Sequence, residues 1–169
     1  AFIRSNYATT DASKLLFEGL KNNASHVRKR RQQYLLADRI LWPMNDGSHW
    51  YLVIIDKLPS GRYNIYCLDS FNSDNNTYLE KAALLLQSLY PERDRDELVH
   101  QQRFIQIPNQ HNLVDCGVAV CYWALQCMKK VLPKNKIGTC DYSQFRLDIA
   151  DLIVQKGRLQ IEMTNRFKP

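Results

Sequence analysis

Three side chains placed far apart in this chain could together perform nucleophilic catalysis: the thiol of Cys116, the imidazole of His49 and the carboxylate of Asp69. Cys116 stands where the polar stretch Gln110-His111-Asn112-Leu113-Val114-Asp115 runs into an apolar one. Val118, Cys121, Tyr122, Leu125 and Met128 recur at spacings of three and four, which predicts a buried helix from close to Cys116 to about Val131. A cysteine at that N-terminus would lie beside unpaired N–H groups and the positive end of the helix dipole, both of which favour thiolate over thiol. A thiolate needs a base, and the base needs an orienting partner. His49 and Asp69 are the candidates for those roles.

The elements that must position them are legible in part. Trp50–Ile55 is a near-continuous apolar, β-branched run, the pattern of a central strand buried on both faces. Leu58-Pro59-Ser60-Gly61-Arg62 has hairpin length, and Tyr63–Leu68 is the next strand. If the two pair antiparallel, the start of the first lies beside the end of the second, so His49 and Asp69 meet at one sheet edge. Nothing local brings Cys116 there, and its arrival at the same edge is an expectation about the tertiary fold.

Ile40-Leu41-Trp42 reads as a short strand stopped by Pro43, and Asn45-Asp46-Gly47-Ser48 as a turn. Thr77-Tyr78-Leu79-Glu80 fits a capping box, with a helix running to Tyr90 before Pro91. Residues 91–102 are charged and expected to be exposed, and Arg103–Ile107 reads as a third strand ended by Pro108. Asp141 can cap a last helix from Tyr142 to about Lys156, stopped by Gly157. Asp11 can cap a helix to about Leu20, after an irregular segment 1–10.

The 169 residues suit one domain with a real core, and 45% apolar with 24% charged residues is ordinary for a globular protein. No apolar run approaches the roughly 20 residues needed to span a bilayer. The chain opens at Ala1 without a signal peptide, as an excised domain would. Five cysteines without framework spacing point to free thiols in a reducing compartment, and their scatter argues against a zinc site. The net charge of +6 is partly concentrated in Arg28-Lys29-Arg30-Arg31, read first as a solvated face. Aromatic residues do not interleave with that run, so a nucleic-acid groove is not expected.

The segments Ile40-Leu41-Trp42-Pro43, Gly47-Ser48-His49-Trp50 through Asp56, Tyr66-Cys67-Leu68-Asp69-Ser70 and Gln110…Asp115-Cys116-Gly117 resemble the Ulp1/SENP-type cysteine proteases, adenain-like enzymes that cleave ubiquitin-like modifiers. The match is good from His49 to Cys121, and only the ordered combination is specific. The resemblance implies an α+β, papain-like fold: a central mixed, mostly antiparallel sheet flanked by helices, with the nucleophile at the N-terminus of a buried helix. It implies that His49 is the general base, Asp69 its orienting acid and Cys116 the nucleophile, with Gln110 helping to form the oxyanion hole. The N–H of Cys116 would be a second donor there, and fixed donors of this kind contribute ~3 kcal/mol each. Trp50 matches the tryptophan that closes a narrow tunnel over a diglycine tail, and Asp115 and Gly117 are further substrate-binding candidates.

The organisation expected from this is one catalytic domain over 1–169. Within it, 1–39 is a variable substrate-recognition region, 40–131 the catalytic core and 132–169 a helical C-terminal region. The expected function is a cysteine isopeptidase that cuts ubiquitin, SUMO or NEDD8 from its conjugates after Gly-Gly, as a monomer, without metal or organic cofactor. The expected location is cytoplasm or nucleus, or a host cytosol if the chain is a bacterial effector. Two other readings compete: an acetyl-CoA-dependent acyltransferase on the same scaffold, kept alive by the basic run, and a catalytically dead binding module. Asp115 could also cap or pack locally, Asp69 could cap the Ser70 turn, and His26, His100 and His111 read as exposed loop residues.

Overall fold

The alternation of side chains along a β-strand lets one central strand serve two cores, and the fold is built on that property. The computed structural model describes residues 34–73, 76–129 and 140–166, with side chains as far as 157 in the last helix. Among the described residues, β1 (Arg39–Asn45), β2 (Trp50–Lys57), β3 (Tyr63–Leu68) and β4 (Val99–Ile105) form one sheet in the order β1-β2-β3-β4. The β1/β2 and β2/β3 pairs are antiparallel and β3/β4 is parallel, so the sheet is mixed and mostly antiparallel, as expected. The parallel pair requires a crossover, supplied by helix α1 (Asn76–Leu89) and the short α2 (Arg95–Leu98). Helices α3 (Cys116–Met128) and α4 (Tyr142–Arg166) follow. No helix among the described residues is long and apolar enough to cross a membrane.

In β2, Tyr51, Val53 and Ile55 join a core with Leu79, Ala82, Ala83, Leu85 and Leu86 of α1. Leu52 and Ile54 join a second core with Val120, Ala124 and Cys127 of α3. Burying each of these large side chains contributes about 1.5–3 kcal/mol. The strand is therefore anchored from both faces, and the turns at its ends inherit that rigidity.

Several expectations are corrected. Strand β1 runs through Pro43, which pairs with Leu52. A proline lacks only its N–H, and at the sheet edge that donor is not needed. Strand β4 starts at Val99, not Arg103, and Leu98 in the supposedly exposed segment is fully buried. Polar residues on an edge strand hid it, because backbone pairing with β3 does not require an apolar pattern. Glu80, expected to close a capping box with Thr77, instead makes a bidentate pair with Arg95, at 2.5 and 2.7 Å.

The buried stripe of α3 is Cys116, Ala119, Val120, Ala124 and Cys127, whereas Cys121 and Met128 are exposed. The helix is apolar almost all round, so spacing alone admits more than one stripe. The face with alanines is the one that can approach β2 closely. It ends at Met128, three residues before the expected Val131. Helix α4 runs through Gly157 to Arg166. A glycine inside a helix costs only about 1 kcal/mol, and the residues that follow it are strong helix formers. Asp141 does cap α4, its carboxylate accepting from the Gln144 N–H at 2.9 Å. The helix expected near residues 11–20 and the basic run 28–31 lie outside the described residues.

Candidate catalytic site

His49 is held by its turn before it is held by any partner. Gly47 has φ +105°, a conformation that glycine adopts without strain, and the turn lets the Asp46 carboxylate fold back on its own backbone. Its Oδ1 accepts from the Ser48 N–H at 3.0 Å, the Ser48 hydroxyl at 3.0 Å and the His49 N–H at 2.8 Å. Its Oδ2 accepts from the Tyr78 hydroxyl at 2.7 Å. Burial pushes the Asp46 carboxyl up, but these donors together outweigh it and hold the group well below the usual carboxylate range.

A group whose pKa is lowered by folding contributes stability that is complete above its unfolded value, and loses it as pH falls through the folded value. We expect urea melts of the native sequence to lose stability more steeply than those of Asp46→Asn between about pH 5 and about pH 2. Parallel slopes would show that the carboxylate charge is not what holds this turn.

The ring of His49 is buried, and its Nε2 lies 2.6 Å from Asp69 Oδ1. The pairing register explains the meeting. Leu52 faces Leu68 across β2 and β3, so the residues just beyond each end reach the same sheet edge. Asp69 Oδ1 also accepts from the Phe71 N–H at 2.8 Å, and Oδ2 accepts from the Ser73 hydroxyl. Burial pushes the Asp69 carboxyl up, while the hydrogen bonds from His49, Ser73 and Phe71 overcome this and keep it below its ordinary range. An ionised carboxylate can only accept, so Nε2 carries the ring proton and Nδ1 presents a lone pair. Among the described residues Nδ1 is buried without a hydrogen-bond partner. Phe71 stacks on the other side of the ring at 4.7 Å and fixes its plane.

Cys116 is the first residue of α3 and is buried at 7% exposure. Asp115 occupies the N-cap position but makes no side-chain cap. Its carboxylate is taken by Arg146, at 3.0 Å from Nε and 2.5 Å from Nη2, and by Asn112 Nδ2 at 2.6 Å. Arg146 first, then Asn112, hold this carboxyl below its ordinary range. Asp115 thus does what its local-packing reading anticipated and leaves the first-turn N–H groups of α3 uncapped by its side chain. A Cβ built on Gly117 would lie 3.8 Å from Trp50 Cδ1, so the first turn of α3 rests on the neighbour of His49.

Gln110 is buried, with Oε1 accepting from the Ser70 hydroxyl at 2.5 Å and Nε2 donating to Asn112 O at 2.5 Å. Its backbone N–H donates to Ser70 O at 2.9 Å. The Asp69 turn and the Gln110 loop are also tied by Asn72, at φ +50°, whose Nδ2 donates to Ile107 O at 2.8 Å. His49, Asp69, Gln110 and the start of α3 therefore share one end of the sheet through contacts of their immediate neighbours. His100 and His111 are exposed, as expected, although His100 lies in β4 and not in a loop. Among the described residues no cluster of three His, Cys, Asp or Glu could hold a metal ion.

Sequence reasoning missed Ser70, Asn72, Ser73, Asn112, Tyr142 and Arg146. Ser73 is four residues beyond Asp69, and Asn112 is three before Asp115, the short spacings at which polar side chains bond neighbouring backbone. Those signals were available. No local signal marks Arg146, which is 31 residues from its partner.

A family model described as the Ulp1 protease family, C-terminal catalytic domain, matches residues 7–158. Similar solved structures include a SUMO protease Ulp1 with its catalytic cysteine oxidised to a sulfonic acid, at 24% identity and TM-score 0.65. That match covers 88% of this chain and 67% of that one. The C-terminal Ulp1 protease domain in complex with Smt3, the yeast ortholog of SUMO, matches at 23% identity and TM-score 0.54, over 70% of this chain. The Xanthomonas campestris effector protein XopD bound to ubiquitin matches at 16% identity and TM-score 0.57, over 89% of this chain and 76% of that one. These likenesses place the α+β fold with that of the Ulp1 proteases. The chain spans 53% of the yeast domain's chain, about half its length.

Proposed function

From the premise that this chain belongs to the Ulp1 protease family, we propose that it is a cysteine protease that cleaves ubiquitin or a ubiquitin-like modifier after its C-terminal Gly-Gly. The observation that carries the reading is the 2.6 Å contact between His49 Nε2 and Asp69, which leaves the lone pair of the buried Nδ1 for a nucleophile's proton. Cys116 Sγ, as thiolate, attacks the carbonyl carbon of the terminal glycine, and the C=O π pair moves to oxygen. The N–H of Cys116 and the second N–H of Gln110 Nε2 receive that oxyanion. The C–N bond breaks as His49 gives its proton to the leaving amine. Water then gives a proton to neutral His49, attacks the thioester and returns Cys116 as thiolate. Asp69 keeps the imidazole in the productive tautomer throughout.

The substrate class is supported by two relatives of the same fold, one bound to Smt3 and the other to ubiquitin. Trp50 lies against Gly117, the residue after Cys116, which supports a role for its ring in walling the approach to the sulfur. A walled approach passes residues without side chains most easily, which favours diglycine. Exposed Phe71, Leu113 and Val114 lie near the same end of the sheet and offer apolar contact area to a protein substrate. The acyltransferase alternative rests on the basic run 28–31, which lies outside the described residues, and no feature of the site among the described residues supports it.

The test is a panel of ubiquitin, SUMO and NEDD8 derivatives carrying a fluorogenic amide at the terminal glycine. At least one is expected to release its fluorophore, and changing its Gly-Gly to Gly-Ala should stop release. Silence from the whole panel, or Cys116-dependent acetyl transfer from acetyl-CoA, would overturn the reading.

A further inference from the structure

We propose that Tyr142 and Arg146 of α4 are positioning residues for this reaction, clamping the two ends of loop 108–115 so that the Gln110 amide stays aimed at the oxyanion. The inference rests on the protease reading and extends it to a helix outside the expected catalytic core. Residues four apart on a helix share one face. At one end of the loop, the Tyr142 hydroxyl donates to Pro108 O at 2.8 Å and accepts from Trp123 Nε1 at 3.0 Å. At the other end, Arg146 Nη2 donates to Val114 O at 2.8 Å, and Arg146 holds the Asp115 carboxylate.

From the Arg146 end the hydrogen bonds run without a break to Gln110. Asp115 Oδ2 accepts from Asn112 Nδ2 at 2.6 Å. Asn112 Oδ1 accepts from the N–H groups of Val114 and Asp115, each at 2.9 Å. Asn112 O accepts from Gln110 Nε2, whose partner Oε1 is held by Ser70. The Gln110 amide is thus gripped on both sides, with one N–H to spare.

The clamp makes a prediction that simple structural support does not. Alkylation of Cys116 by iodoacetamide displaces iodide from carbon and forms no oxyanion, so it reads the thiolate and His49 but not Gln110. In the whole chain, Arg146→Gln should lower kcat on the fluorogenic substrate by about 10- to 100-fold, with KM and the alkylation rate within about twofold of the native values. Tyr142→Phe should lower kcat by a smaller factor, about threefold. Arg146→Lys, which restores the charge but not the fork, should recover part of the loss.

If Arg146→Gln turns over at the native rate, or if kcat and alkylation fall together in both Arg146→Gln and Tyr142→Phe, the clamp is wrong. A native chain that is alkylated at Cys116 but hydrolyses no substrate overturns the protease reading, and the clamp with it. A native chain that turns over beside an unimpaired Arg146→Gln overturns the clamp alone.

Discussion

Cys116→Ala is expected to reduce turnover to the assay floor, a loss of about 10⁶-fold, because no other group among the described residues is placed to take the nucleophile's part. Burial pushes the thiol of Cys67 up, that of Cys127 up to about 11, and those of Cys121 and Cys140 up as well. Each is held as thiol at neutral pH. Cys116 alone starts a helix, and its neighbour Asp115 spends its carboxylate on Arg146 and Asn112 instead of capping the first-turn N–H groups. The substitution removes one sulfur atom and no hydrogen-bond partner of the backbone. Its melting temperature should stay within about 3 °C of the native value. Stopped-assay kinetics and a thermal melt check the two halves together. Turnover that survives the alanine would refute the nucleophile assignment.

The second large effect is expected from Asp69→Asn, which should lower kcat by about 10⁴-fold. The change is nearly isosteric, so the reason is the direction of one proton. Asp69 accepts from Nε2, and this leaves Nδ1 as the base. An asparagine can turn its NH₂ group toward Nε2, in place of Oδ1, while its oxygen keeps the bond from the Ser73 hydroxyl. The ring proton would then move to Nδ1, and the lone pair would be lost where the thiol needs it. Asp69→Ala should also lose stability, because a buried acceptor of several donors disappears. Measuring kcat and the melting temperature of both variants separates orientation from support. An asparagine variant with native kcat would show that the carboxylate is only a turn cap.

How much of this was legible in the sequence depends on whether a feature is set by neighbours along the chain or by neighbours in space. The meeting of His49 with Asp69 was readable, because a hairpin of known length and two apolar strands fix which ends come together. The burial of β2 on both faces was readable for the same reason. The buried face of α3 was not. An almost wholly apolar helix leaves its orientation to the alanines that fit against β2, and only the packed sheet selects them. Pro43 and Gly157 show the weakness of stop signals, since an edge strand tolerates the first and a run of good helix formers absorbs the second. Gln110 could be named from the resemblance, but what holds its amide could not. Ser70 lies 40 residues away, and the chain of bonds ends on Arg146 of another helix.

Catalysis by this site depends most on the sulfur of Cys116 being the atom that meets the substrate. The direct measurement is peptide mapping by mass spectrometry after reaction with a ubiquitin-like protein whose C-terminal glycine carries an alkyne electrophile. The predicted result is one thioether, on Cys116, that forms with the native chain and fails to form with His49→Ala. An adduct on Cys121 or Cys140, or no adduct with ubiquitin, SUMO or NEDD8, would contradict it.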